Sequence, residues 1–197
     1  MKKIFLVITT LAVNIGFGQS WVKNYDNVDE FKCGLALVEK GGKHGFVDNG
    51  GKLVVALKYE DALSFSEGMA AVMFEGKWSY LDSTGKEIIP PRYNDAYSFN
   101  NGLCLVSREG KYGFLNKKGT EVIPLQYDGA DSFSEGLAAV RKKDMWGFID
   151  ASGKYIIPVK FNYARSFASG IAQVMKGNDW INIDKEGKEV KDDQVKQ

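Results

Sequence analysis

The chain is short of the residues with which most enzymes do chemistry: its 197 residues include 2 cysteines and 1 histidine. No CxxC, no HExxH and no phosphate-cradling glycine loop occurs, which excludes the common zinc, metalloprotease and nucleotide signatures. The lone histidine, His44, has no nucleophile beside it, so the local pattern of an activated serine or cysteine is missing too. Charge of one sign is equally lacking. With 26 basic and 25 acidic residues the net charge is +1. No global field exists to hold nucleic acid or an anionic membrane, since such binding rests on many phosphate-neutralising cations.

What is present begins with MKKIFLVITTLAVNIGFGQS: Lys2 and Lys3, an apolar stretch from Ile4 to Ile15, then Gly16 and Gly18 ahead of Gln19. This is the layout of a secretory signal peptide, too short and wrongly flanked for a membrane span. The sequence therefore predicts a signal peptide over 1–18, a single domain over 19–197, and export to the periplasm or the cell exterior, with no membrane span after processing. No cysteine follows the apolar run, which disfavours a lipid anchor. Loss of Lys2 and Lys3 leaves 24 basic and 25 acidic residues. The remaining domain is large enough to bury about 70% of its unfolded surface, so disulfide staples are not required. Cys33 and Cys104 are expected to be free thiols, Cys104 as a small buried apolar residue.

The dominant feature is a period. Phe31, Phe65, Phe99, Phe133 and Phe167 follow one another at intervals of 34 residues, and each is followed three residues later by a glycine, Gly34 to Gly170. Val38, Val72, Val106, Val140 and Val174 keep the same spacing, as do Gly51, Gly85, Gly119, Gly153 and Gly187. Five copies of one unit are therefore predicted, starting near the five phenylalanines. Within a unit, GLAAV (136–140) reads as a buried strand and WGFID (146–150) as its hairpin partner, with Trp146 and Phe148 on one face. DASG (150–153) matches a type I turn. KYIIP supplies a third strand, which Pro158, like Pro90 and Pro124, is expected to end because it lacks a donor. The helical alternative fails, since no 3.6-residue apolar period is sustained.

Units such as FSEGLAAVRKKDMWGFIDASGKYIIPVKFNYARS resemble the WG (or KWG) repeats that occur in tandem in many bacterial proteins. The resemblance runs from about Tyr25 to Val190. It implies a β-rich binding or scaffolding array with no shared catalytic residues. Three copies depart from the pattern, with His44 in place of tryptophan, Ser79 in place of glycine, and Trp180-Ile181-Asn182 at the last motif. An all-β tandem array of five three-stranded meanders is expected, preferably an open, solenoid-like stack with WVKNYDNVDE and KEVKDDQVKQ as caps; a closed propeller-like ring is the alternative.

Several columns offer chemistry and a structural reading side by side. His44, Trp78, Tyr112, Trp146 and Trp180 are either sugar-stacking platforms or an inter-unit stack, and the glycine beside most of them favours the stack. Asp48, Asp82, Asn116, Asp150 and Asp184 resemble a ladder of calcium ligands, yet each stands alone without an oxygen cage, and turn capping explains aspartate and asparagine equally. Glu67 and Glu135 could pair as glycosidase carboxylates, but Cys33, Asn101 and Ser169 share their column. Neither a catalytic residue nor a cofactor or metal ligand is assigned. Specificity in repeat proteins lies where units differ, which points to the hairpin tips. Phe74 is the apolar aromatic on a tip, and Arg108, Arg141, Lys142 and Lys143 suggest a basic stripe for an acidic glycan or protein. The expected function is exported, non-catalytic binding or scaffolding of a protein or envelope glycan; a carbohydrate-binding module using aromatic side chains is the alternative.

Overall fold

A computed structural model describes residues 20–191; the expected signal peptide lies outside them. The described chain is all-β apart from one 3-10 turn, Val22–Asn24. Five antiparallel sheets follow in chain order over 27–59, 61–93, 95–127, 129–161 and 163–190, each with its four strands in sequence order. The fourth sheet shows the plan: Gly129–Ala130, Ala138–Lys142, Met145–Ile149 and Tyr155–Phe161. Each sheet thus has one strand more than the three expected. The extra strand is a two-residue segment of the link, such as Gly129–Ala130 paired with Arg141 and Val140, too short to leave an alternating pattern in sequence.

The prolines also behave differently from expectation. Tyr155–Phe161 runs on through Pro158 as an edge strand. Its pairing steps from Trp146↔Phe161 to Phe148↔Ile157, so the strand bulges at Pro158 and Val159, where a missing donor costs nothing. That bulge explains the glycine of the WG pair. A side chain on Gly147 would place its Cβ 2.5 Å from the Ile157 carbonyl oxygen and 2.7 Å from Pro158. Gly113 and Gly45 lie equally close under their own third strands. Ser79, the exception, is buried where the pairing steps from Trp78↔Tyr93 to Tyr80↔Ile89, and its hydroxyl donates to the Val72 carbonyl at 3.4 Å; nothing further in the structure accounts for it.

The sheets stack face to face in succession. Across each joint a ring from one unit meets the phenylalanine that opens the next: Phe46–Phe65 at 4.7 Å, Tyr80–Phe99 at 5.2 Å, Phe114–Phe133 at 4.7 Å and Phe148–Phe167 at 4.8 Å. The small side chains of the facing sheet, Ala70, Cys104, Ala138 and Ala172, are buried there, making a continuous core that no unit could close alone. Burial pushes the Cys104 thiol up to about 12. Both cysteines are free.

The array is open. At its N-terminal end Trp21 and Tyr25 fall one period before Val55 and Tyr59, and they act as their counterparts. Trp21, Tyr25 and Val28 cover Ala36, Val38 and Val47 of the first sheet, and Trp21 lies on Gly51 just as Val55 lies on Gly85 and Ile89 on Gly119. The segment around the 3-10 turn therefore does the work of a preceding unit. At the other end the fifth sheet, among the described residues, turns a face to solvent; the expected cap KEVKDDQVKQ lies outside them from residue 192 on.

Candidate functional site

Column by column, most of the polar side chains that could do chemistry hold the fold. In all five units the turn residue after the second long strand accepts two backbone N–H groups through Oδ1. Asp150 takes those of Ser152 at 2.9 Å and Lys154 at 3.1 Å, and Asn116 takes those of Lys118 and Thr120. The Ser152 hydroxyl, followed by the two backbone donors, holds the Asp150 carboxyl below the usual carboxylate range. This is the turn-capping reading of the aspartate ladder.

Glu67 and Glu135, read in sequence as a tolerant turn position, are inter-sheet clamps. Each reaches across a joint to the next unit. Glu67 accepts the Gly102 N–H at 3.0 Å and pairs with Lys117 at 3.1 Å; Glu135 accepts the Gly170 N–H at 2.9 Å and pairs with Lys185 at 3.2 Å. Partial desolvation raises the Glu67 carboxyl, but Lys117 and the backbone donors outweigh it and the net shift is downward. Glu135 is likewise lowered, by Gly170 first and then Lys185. Only alternate joints carry the clamp. Cys33 with Ser83, and Asn101 with Ala151, occupy the corresponding columns at the other two joints.

The hairpin tips are two-residue turns; in the first four both central residues are at positive φ, as at Glu75 (φ 51) and Gly76 (φ 69) or Lys143 (φ 50) and Asp144 (φ 66), while in the fifth Gly177 (φ 63) alone is. An acid or amide from the link caps each one: Asp26, Glu60, Asn94, Asp128 and Asn162 accept N–H groups at the tip that follows. The proposed tip residues differ in their freedom. Phe74 is half-exposed and stands edge-on to Tyr59 of the preceding sheet at 6.3 Å. Arg108 pairs with Glu121 at 3.7 Å across its own sheet. Arg141 points to the opposite face, where it donates to the Asp128 carbonyl at 2.7 Å. Lys142 reaches Gln126 at 3.4 Å, and Lys143 is tied only through its backbone N–H to Asp128. Glu109 and Asp144 sit among these cations, so the four bases do not form an uninterrupted stripe.

The aromatic column is chiefly an inter-unit stack. Trp78, Tyr112 and Trp146 are part-buried against the joint clusters. Trp180 differs, being 45% exposed with Tyr163 at 46%. Its ring lies 5.8 Å from Tyr163, which is 5.4 Å from Trp146, and the Arg165 guanidinium sits over it at 5.0 Å.

The family model for the WG containing repeat matches residues 17–43, 45–78, 78–112, 112–146 and 146–180. The chain belongs to the WG-repeat family. No curated protein matches it in sequence. In fold, this WG-repeat protein is similar to a eukaryotic initiation factor, at 9% identity over 85% of this chain and 55% of that one with a TM-score of 0.55. It is also similar to Hsv2 of Kluyveromyces lactis, at 10% identity over 80% and 58% of the two chains with a TM-score of 0.52. It spans little more than half the length of either structure, and identities this low speak for the fold alone.

Within the WG-repeat frame, the end face is what the sequence reading missed. Every unit has two columns that face the next sheet and are apolar in the first four copies: Leu37, Ala71, Leu105, Ala139 and Phe46, Tyr80, Phe114, Phe148. In the fifth they become Gln173 and Asn182. Comparison of columns carries that signal, but only knowledge of which strand face meets the next sheet gives it meaning.

Proposed function

We propose that this WG-repeat protein is an exported, non-catalytic binding or scaffolding module for a protein or envelope glycan. The observation that supports this most is the division of labour among side chains. The recurring carboxylates and amides are engaged in turns and joints, whereas the side chains unique to one unit lie at the tips and on the last face. A repeat array of this kind recognises partners through such non-recurring surface positions. Export rests on Lys2, Lys3 and the Ile4 to Ile15 run, and mass spectrometry of the native protein should show a start near Gln19. An intact Met1 would remove the assignment.

Of the tip residues, Lys142 and Lys143 are the most available, Arg108 less so, while Arg141 belongs to the fold. Neutralising Arg108, Lys142 and Lys143 together should leave the melting temperature nearly unchanged, because exposed charges contribute little to stability. The same change should weaken retention on an acidic envelope fraction, and retention of the unmodified protein should fade as salt rises. Retention indifferent to both would remove the tips as the contact. A carbohydrate reading is favoured by one specific feature, the exposed rings of the fifth sheet.

A further inference from the structure

The outer face of the fifth sheet is built differently from the same face of every other sheet. Pairing sets Tyr163, Met175 and Trp180 in one row, and Gln173, Asn182 and Val190 in the adjacent row on the same face. Arg165 joins the second row, its backbone N–H bonded to the Gln173 carbonyl. A shallow recess of about 400 Å³ opens along this face, lined by Trp180, Gln173, Asn182, Glu189 and Lys191 among others.

Solvation of an end explains why apolar residues give way to Gln173 and Asn182, since a face without a following sheet must tolerate water. It does not explain the rings. Tyr163 occupies a column held elsewhere by Asn27, Asp61, Asp95 and Gly129, so a large aromatic has been added where every other unit carries a polar or small residue. Arg165 stands in the column of Asp29, Leu63, Tyr97 and Asp131. Its guanidinium is held over Trp180 by a 2.8 Å bond from Nη1 to the Gln173 side chain, and it forms no ion pair among the described residues. A face designed only to be wet would lose rings and carry freely moving charges. This one presents two exposed rings continuous with Trp146, two planar amides and a fixed cation.

We propose that this face is a binding site for an extended saccharide that carries carboxylate groups. The flat C–H faces of sugar rings stack on Trp180 and Tyr163. Amide side chains supply both donors and acceptors, the set that hydroxyl groups require. Arg165 supplies the charge for a carboxylate, for which a guanidinium is geometrically matched; among the described residues that line the recess, Lys191 offsets the acid Glu189. The inference rests on the binding-module reading and names its ligand class and surface.

The test is titration of the full chain with an oligogalacturonate and, separately, with a neutral cello-oligosaccharide, followed by tryptophan fluorescence and calorimetry. The acidic oligomer should bind and perturb tryptophan emission, and binding should weaken as salt rises. Trp180→Ala and Tyr163→Asp, the latter restoring the residue found in two other units, should each weaken it about tenfold or more, the loss expected of a stacking contact. Arg165→Gln should remove the preference for the acidic over the neutral oligomer. All three side chains are exposed or at the surface, so melting temperatures should stay close to the parent. Failure of the acidic oligomer to bind, or binding indifferent to Trp180→Ala and Tyr163→Asp, overturns the proposal. Retention on an envelope fraction that survives Trp180→Ala would then leave the module reading standing without this face; loss of retention by the parent protein would remove both.

Discussion

At the scale of single residues, the WG pair is two unrelated requirements set side by side. The ring fills the gap at a joint, while the glycine exists because the next strand bulges over it. Gly147→Val would drive a branched side chain into the Ile157 carbonyl, against a present clearance of 2.5 Å for Cβ alone. The expected cost is about 3 kcal/mol, the upper range for overpacking a tight site, even though valine favours strands. Thermal denaturation should show a loss of roughly 6 to 12 °C for a domain of this size, and an unchanged transition would refute the bulge account. Trp146→Ala removes a ring only part-buried against its joint, so about 2 kcal/mol is expected, below the range for a fully buried tryptophan. In the fifth unit Ile181 occupies the glycine column, and the described part of the third strand there, Glu189–Val190, ends before the positions that bulge in the fourth unit.

At the scale of elements, the joints are of two kinds. All are sealed by an aromatic pair, and two are also latched by a glutamate. Both glutamates titrate below the ordinary carboxylate range in the folded protein, so the stability they contribute is present above the unfolded value and is lost as pH falls through the lowered folded one. Glu67→Gln combined with Glu135→Gln should therefore reduce the difference in melting temperature between neutral and acidic solution, with little residual effect once both carboxylates are protonated. An equal loss at every pH would assign them a packing role instead. These latches were not legible in the sequence. Lys117 and Lys185 each lie 50 residues beyond the glutamate they pair with, and a column that alternates glutamate with cysteine, asparagine and serine looks permissive until the topology brings its partner into reach. The two-residue strands were hidden for a different reason, being shorter than any pattern that periodicity can register. By contrast the long strands, the turn glycines and the burial of Cys104 in a column otherwise held by alanine were readable, because each follows a local rule repeated from unit to unit.

At the scale of the whole molecule, the ends decide the architecture. Stability in a stacked array is a sum over units and joints, so an uncovered end loosens locally. Trp21→Ala should cost about 2 kcal/mol, since it deletes a ring lying on Gly51 and on the first sheet's outer face. Amide exchange should quicken in strands Leu35–Lys40 and Lys43–Asp48 while Met145–Ile149 in the fourth sheet keeps its protection; uniform loss would mean that the stack melts as one unit. The two ends also differ in kind, a capping 3-10 turn at one and a polar face with an added tyrosine at the other. The latches also set a second rhythm along the stack. The Glu67–Lys117 and Glu135–Lys185 pairs are separated by two repeat lengths, not one, so the ionic pattern has twice the period of the fold, and neighbouring joints that look alike in their aromatic seals differ in how they respond to acid.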